Sequence, residues 1–275
     1  MPKWVRKTIW PLAIGNQLEI TENLYKILLK QQNNQQNTSS LISKSVSKMK
    51  EDLKQMYIQK FQQIINNEQL VQMENILQAF IFYRPDLGYI KEVMPNLVCV
   101  LLLHLDEYNS FKCFINLLHS YHFLSLFRGD MREIEWRVRF FNEYLFKQKP
   151  LVHQHLKALD LSTELFLIDW LMNLFSNVLN VNIVSRILDN LLLEGEIFAF
   201  KAGLAYIEYF DLELKMATFD NAIGMLKNLQ GNLFSEELFF DIVDNIKIPL
   251  KDFDDRIEQQ KVAKITTYVH EALLN

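Results

Sequence analysis

Histidine and acidic side chains are the first candidates for chemistry in this chain. His119 and His122 are three residues apart, a spacing at which two imidazoles on one helix could bind a metal ion. Such a site needs about four ligands, and the sequence places no second pair beside these two. Asp254 and Asp255 are adjacent, and adjacent helical residues do not converge on one point. We therefore predict neither a metal site nor a catalytic acid–base pair.

Motifs that bind phosphates or activate nucleophiles are absent from the sequence. It contains no Walker-type phosphate loop, no dinucleotide-binding glycine turn, no nucleophile elbow and no His-Glu-x-x-His zinc pair. Cys99 and Cys113 both lie in apolar runs and do not resemble a disulfide framework, which favours a reducing compartment. We expect no cofactor and no stand-alone enzyme.

Long helices are the dominant prediction for the fold. Only 7 Gly and 6 Pro interrupt 275 residues, too few for the turns of an all-β fold. Between residues 70 and 82, apolar residues recur at helical spacing at Leu70, Met73, Leu77 and Phe80. Hydrophobic residues make up 49% of the chain, which is enough to form a packed core. The sequence therefore predicts an all-α globular protein.

Helix caps and one polar loop divide the chain further. Thr21 and Ser235 each precede acidic residues, as N-caps do, because carboxylates favour the positive end of a helix dipole. Gln31–Ser40 reads QQNNQQNTSS, a polar stretch that cannot bury itself. We predict a surface loop there.

The charge and hydropathy patterns limit the surroundings of the protein. A net charge of −4 gives no overall attraction to nucleic acid, although a local basic patch remains possible. The longest uncharged apolar run, residues 93–103, is shorter than the roughly 20 residues needed to span a membrane. We expect a cytoplasmic protein without a transmembrane segment.

Five segments, in chain order, carry a resemblance to a known family. They read RKTIWP at 6–11, RPDLGY at 84–89, FKCF at 111–114, TELFLIDWL at 163–171 and RILDNLLLEG at 186–195. Each segment alone is weak, but their order and spacing resemble the TBC domain family, the GTPase-activating proteins of Rab GTPases. The resemblance nearly spans the chain. It implies an all-α, two-lobed TBC domain over residues 1–275, with lobes 1–153 and 154–275.

The resemblance also implies a chemistry. TBC domains accelerate GTP hydrolysis on Rab GTPases with two groups supplied by the activator. An arginine at the end of an I-x-x-D-x-x-R motif stabilises the charge on the transferring phosphoryl group, an effect worth about 10³–10⁵ in rate for such arginine fingers. A glutamine at the end of a Y-x-Q motif orients the attacking water.

Both finger positions are altered in this sequence. The first motif aligns with Met49, Asp52 and Gln55, so an uncharged amide replaces the arginine. No arginine lies between Arg6 and Arg84, so a small shift of the alignment does not recover one. The second motif ends in Lys91 instead of glutamine, and the Gly-Met that usually follows reads EVM at 92–94. An ammonium group cannot both donate and accept a hydrogen bond as a carboxamide does.

We therefore predict a pseudo-activator: a TBC domain without conventional GTPase-activating activity that binds a Rab-type GTPase or a scaffold protein. Two alternatives stay open. One is a structural subunit of a cytoskeletal, ciliary or trafficking assembly, with aromatic residues such as Trp4, Trp136 and Phe140 as docking surface. The other is an active Rab GTPase activator with a substitute finger, either Lys91 or Lys54. The residues predicted to form or support the partner-binding surface are Arg6, Trp10, Met49, Asp52, Gln55, Arg84, Gly88, Tyr89 and Lys91.

The predicted localisation follows from these alternatives. A Rab-binding module or a trafficking subunit would lie in the cytoplasm, at the periphery of vesicles or within a cytoskeletal or ciliary assembly.

Overall fold

A computed structural model describes residues 1–31, 40–228 and 235–260. Within these ranges the regular structure is helical, and no strand occurs. The fifteen α-helices with defined ends are α1 (Lys3–Ile14), α2 (Glu22–Gln31), α3 (Ser40–Gln59), α4 (Asn67–Tyr83), α5 (Val93–Leu102), α6 (Glu107–His119), α7 (Tyr121–Phe127), α8 (Met131–Gln148), α9 (Pro150–Ala158), α10 (Glu164–Asn173), α11 (Val181–Glu194), α12 (Ile197–Tyr209), α13 (Asp211–Met216), α14 (Phe219–Asn228) and α15 (Glu236–Asn245). A 3₁₀ turn, Phe61–Gln63, follows α3, and residues 250–260 are also helical.

The helix starts agree with the caps predicted from the sequence. The hydroxyl of Thr21 accepts a hydrogen bond from the Leu24 amide at 3.1 Å, and that of Ser235 accepts one from the Leu238 amide at 3.3 Å. These bonds satisfy amide groups that the first turn of a helix leaves without partners. The helical pattern predicted for residues 70–82 lies inside α4. Most of the predicted polar loop, residues 32–39, lies outside the described residues.

One continuous apolar core holds the helices together. In the first half of the chain α3 packs on α4, and α4 packs on α5 and α6. In the second half α12 packs on α11 and α15, and α1 lies across both α6 and α11. The predicted lobe boundary at residue 153 falls within α9, and the division into two lobes stays a prediction.

The aromatic residues considered as docking surface are mostly core residues. Trp136, Phe140, Phe141 and Tyr144 are all buried on α8, where Phe140 and Phe200 pack edge to face with ring centroids 5.2 Å apart. Trp4 differs, because 79% of its surface is exposed. Because the aromatic side chains of α8 are buried, they are not available as a docking surface.

None of the described helices combines the length and the apolar character that crossing a bilayer requires.

Candidate functional site

The first finger segment lies on α3, whose inner face packs on α4. Met49 and Leu53 are buried in the core, and Asp52 is only 7% exposed. Gln55 and Lys54, by contrast, are exposed. The position predicted to carry the family's arginine therefore presents a neutral amide at the surface.

The second finger segment follows a tight turn at the end of α4. The amides of Leu87 and Gly88 donate to the Arg84 carbonyl at 3.2 and 3.3 Å. Gly88 has φ +65°, a left-handed conformation that favours glycine. Two guanidinium nitrogens of Arg84 donate to the two carboxylate oxygens of Asp86 at 2.8 and 2.7 Å. Because Asp86 binds it in this way, Arg84 is not a free replacement for the missing arginine.

Residues from the two predicted finger segments form an ion pair. Lys91 Nζ lies 3.1 Å from Asp52 Oδ1, so the lysine predicted at the glutamine position is bound by the acid predicted for the arginine motif. The Lys91 side chain is 42% exposed, whereas that of Asp52 is 10% exposed. The buried carboxylate thus has a cationic partner that reaches it from the surface.

Tyr89 completes this small polar cluster. Its hydroxyl and Asp52 Oδ2 are both buried, and neither has a hydrogen-bond partner in the part of the chain that the structure describes. Burial raises the pKa of Tyr89, and the negative charge of Asp52 raises it further. The tyrosine therefore stays neutral at physiological pH. A buried polar atom without a hydrogen-bond partner costs free energy of folding, so these two atoms lower the stability of this cluster.

The backbone next to Lys91 is strained. Glu92 has φ +67° and ψ −30°, and the Val93 amide donates to the Lys91 carbonyl at 2.8 Å. This is a γ-turn with positive φ at its central residue, a conformation that is rare and unfavourable for a residue with a side chain. Glu92 occupies the position where the family motif usually has glycine. The backbone here adopts a conformation that favours glycine, although the residue is a glutamate.

Lys60 is a partly buried amine that no sequence pattern indicated. Its Nζ donates to Asn96 Oδ1 at 2.8 Å and to the Ser176 carbonyl at 2.6 Å. Burial lowers the pKa of Lys60 to about 8, although nearby Cys99 and Glu92 raise it. Its partners lie 36 and 116 residues away, so no local pattern indicates the contact.

Asn96 connects this amine to the strained turn. Its Nδ2 donates to the Glu92 carbonyl and also to Asn177 Oδ1, the latter at 2.9 Å. The segment that carries Lys91 is therefore fixed on one side by Asp52 and on the other by Asn96.

Arg6 and Trp10 lie at a different junction, between α1 and α11. Arg6 donates to both carboxylate oxygens of Asp189 at 2.8–3.1 Å, and Trp10 Nε1 donates to Asp189 Oδ1 at 2.8 Å. All three residues are buried. Burial raises the pKa of Asp189. Hydrogen bonds from Arg6, the N-terminal amine and Trp10 outweigh this effect and hold the pKa below its usual range. The first and fifth motif segments therefore meet in one buried ion pair.

A second buried charge network was also missed. Arg137 is fully buried and forms ion pairs with Glu133 and Glu196. His122 Nδ1 lies 2.8 Å from Glu196 Oε1. His119 and His122 lie on different helices, because α6 ends at His119 and α7 begins at Tyr121. Among the described residues, no group of three metal-binding side chains comes together.

The helical fold and the motif geometry point to one class of protein. The family model for the Rab-GTPase-TBC domain matches residues 3–215. The chain belongs to the Rab-GTPase-TBC domain family.

Individual relatives have similar sequences over most of this chain. It is 28% identical to Drainin of Dictyostelium discoideum, over 94% of this chain and 70% of Drainin. It is 30% identical to TBC1 domain family member 12 of Xenopus tropicalis, over 87% of this chain. It is 29% identical to TBC1 domain family member 14 of Homo sapiens, over 88% of this chain. The matches span 37% of each of these last two proteins.

Two solved structures share the fold. The Chlamydomonas flagellar RabGAP TBC domain superposes with a TM-score of 0.72 at 18% identity, covering 89% of this chain and 81% of that one. The YPT/RAB-GAP domain of GYP1P superposes with a TM-score of 0.70 at 16% identity, covering 89% and 87%. The all-α TBC fold predicted from the sequence is confirmed.

Proposed function

We propose that this chain is a TBC domain without conventional GTPase-activating chemistry that serves as a binding module for a Rab-type GTPase. The observation that carries the proposal is the Lys91–Asp52 ion pair beside an exposed, uncharged Gln55. A transition state that spreads negative charge over the phosphoryl oxygens needs a free cation directed at it. The arginine position lacks that cation, and the cation at the glutamine position is bound to a carboxylate.

The surface for the partner follows from the same geometry. Gln55 and Lys91 are exposed and would contact the GTPase, together with the turn that contains Arg84 and Gly88. Met49, Asp52 and Tyr89 would support that surface from beneath. Arg6 and Trp10 would act at a distance by fixing α1 to α11. We propose residues 1–153 as the lobe that carries this surface, with residues 154–275 as its helical support.

The substitute-finger alternative has less support. Lys91 would have to leave Asp52 to reach a phosphate, which would leave a buried carboxylate without its cation. Lys54 is exposed, but it lies about 100° around the helix from Gln55. Neither lysine has the planar fork with which arginine contacts two phosphoryl oxygens.

The structural-subunit alternative lacks its aromatic surface on α8, because those rings are in the core. Its remaining candidate surface is the region around Trp4. A cytoplasmic location at vesicles or in a cytoskeletal or ciliary assembly accords with either binding role.

A binding experiment tests the proposal. A panel of Rab GTPases, loaded with GDP or with a non-hydrolysable GTP analogue, is titrated onto the chain by calorimetry. We expect at least one GTPase to bind in a nucleotide-dependent manner, and we expect the charge reversal Lys91→Glu to weaken that binding. The matched control is Lys251→Glu, which reverses an exposed charge far along the chain. If no GTPase binds in either state, the proposal is wrong.

A further inference from the structure

The outward face of α1 is an exposed surface that the GTPase proposal does not use. Its members are Lys3, Trp4, Lys7, Thr8 and Leu12, all exposed, and we call them the α1 face. Trp4 is 79% exposed and Leu12 is 72% exposed. Arg6 and Trp10 lie on the side of the helix opposite the row of Trp4, Thr8 and Leu12, and both are buried against Asp189. The α1 face is therefore held outward by the ion pair on its reverse side.

The α1 face has two parallel rows of side chains. Trp4, Thr8 and Leu12 follow one another at intervals of four residues and form an apolar row with one hydroxyl. Lys3 and Lys7 are also four residues apart and form a cationic row beside it. An aromatic and aliphatic row next to an ammonium row is the pattern of a helix that lies at a membrane interface.

The α1 face carries two positive charges that form no ion pair with the described residues. No acidic residue occurs in α1. Neither Lys3 nor Lys7 has an ion-pair partner within the described ranges 1–31, 40–228 and 235–260. Because the chain as a whole carries a net charge of −4, a negative surface would attract this face rather than the whole molecule.

Two acidic groups near α1 already have partners. Asp189 accepts hydrogen bonds from Arg6, Trp10 and the Met1 amine. Asp106 caps α6 by accepting a bond from the Asn109 amide at 2.9 Å. Burial raises the pKa of Asp106, but the hydrogen bonds from Asn109 and the charge of Lys7 outweigh this effect and lower the pKa. These carboxylates leave the cationic row free to bind another anionic surface.

We propose that the α1 face docks the domain on an anionic lipid bilayer, with Trp4 at the level of the headgroups. Indole rings favour the interface because one edge is apolar and the other carries an N–H donor. Lysines near an anionic leaflet are attracted to it, and this attraction is screened by salt. The inference is independent of whether the finger surface binds a GTPase.

The fluorescence of Trp4 reports directly on the environment of the α1 face. The other three tryptophans, Trp10, Trp136 and Trp170, are 0%, 3% and 1% exposed, so acrylamide quenching of the free protein reports mainly on Trp4. The chain, carrying no N-terminal tag, is titrated with vesicles of phosphatidylserine and phosphatidylcholine, and separately with pure phosphatidylcholine. We expect the anionic vesicles alone to shift the emission to the blue and to protect it from acrylamide. Added salt should reverse both effects.

Variants make the test specific. In vesicle sedimentation, Lys3→Ala/Lys7→Ala should lower partitioning by about fivefold for each lysine removed. The matched control, Lys157→Ala/Lys251→Ala, removes the same charge from exposed positions elsewhere and should change partitioning little. Trp4→Ala should also weaken sedimentation. An absence of any response to anionic vesicles at low salt would overturn the proposal, as would equal losses in the variant and its control.

Discussion

Lys91 Nζ lies 3.1 Å from Asp52 Oδ1, which joins the two predicted finger segments in one ion pair. The lysine side chain is 42% exposed, whereas the carboxylate side chain is 10% exposed. On the predicted alignment, the lysine at the glutamine position therefore contacts the acid of the arginine motif.

The first prediction concerns the energy of this pair. Lys91→Met should lower the free energy of unfolding by about 1 kcal/mol, a value limited by solvent screening of the partly exposed lysine. Asp52→Asn/Lys91→Met should lose less than the sum of the two single changes, because the double variant leaves no unpaired charge. Urea unfolding at low and high salt measures the cycle. The control is Lys54→Met, at an exposed neighbouring position. If the two single losses of unfolding free energy add up to the loss in the double variant, Asp52 and Lys91 are not coupled.

The second prediction concerns the strained turn. Glu92→Gly should raise the free energy of unfolding by about 1 kcal/mol, because glycine adopts positive φ without a steric cost. Glu92→Ala removes the same charge but keeps a Cβ, so it should not bring this gain. The midpoint of urea unfolding distinguishes the two variants. Equal stability of the glycine and alanine variants would mean that the turn is not a source of strain.

The third prediction concerns the junction between α1 and α11. Arg6→Met should cost about 3–5 kcal/mol, because it leaves the buried Asp189 without its main partner. The control is Arg84→Met, which breaks a local pair with the largely exposed Asp86 and should cost about 1 kcal/mol or less. Thermal and urea unfolding measure both losses. Comparable losses for the two variants would show that the buried Arg6–Asp189 pair stabilises the fold no more than the exposed Arg84–Asp86 pair.

The fourth prediction concerns stability in acid. Although burial opposes ionisation, His122 and Arg137 lower the pKa of Glu196 from 4.5 to about 2. Its pKa is lower in the folded state, so its stabilising contribution is present above pH 4.5 and is lost as the pH falls toward 2. The loss is of the order of 3 kcal/mol.

Glu196→Gln tests this assignment. The variant should show a shallower dependence of the unfolding free energy on pH between 4.5 and 2. Glu135→Gln, which breaks an exposed pair with Arg139, should keep the wild-type slope. A wild-type slope in Glu196→Gln would assign the acid sensitivity to other carboxylates.

Local sequence patterns predicted the helices and the fold but not the contacts of the site. The spacing of Leu70, Met73 and Leu77 indicated α4, and hydroxyl caps such as Ser235 marked helix starts, because both depend on residues within one or two turns. The order of the motif segments indicated the family. These patterns depend on the local sequence and on the order of its segments, so they can be recognised before the tertiary packing is known.

The long-range polar contacts could not be predicted in this way. Asp52 and Lys91 were both named as site residues, but their ion pair joins α3 to the turn before α5, and the sequence does not specify how these two segments are placed. Lys60 was missed because its partners are distant, and Arg137 was missed because a buried arginine has the same sequence pattern as an exposed one. The spacing of His119 and His122 also gave no indication that the chain breaks its helix between them.

Single-turnover GTP hydrolysis tests the central claim most directly. A panel of Rab GTPases is measured alone, with the wild-type chain, and with Gln55→Arg/Lys91→Gln, which restores both finger residues. The single change Gln55→Arg serves as a control for the contribution of the glutamine position. We predict that the wild-type chain leaves hydrolysis unchanged and that the double variant accelerates it for a GTPase that binds. Acceleration by the wild-type chain would contradict the account and would assign catalysis to a substitute finger.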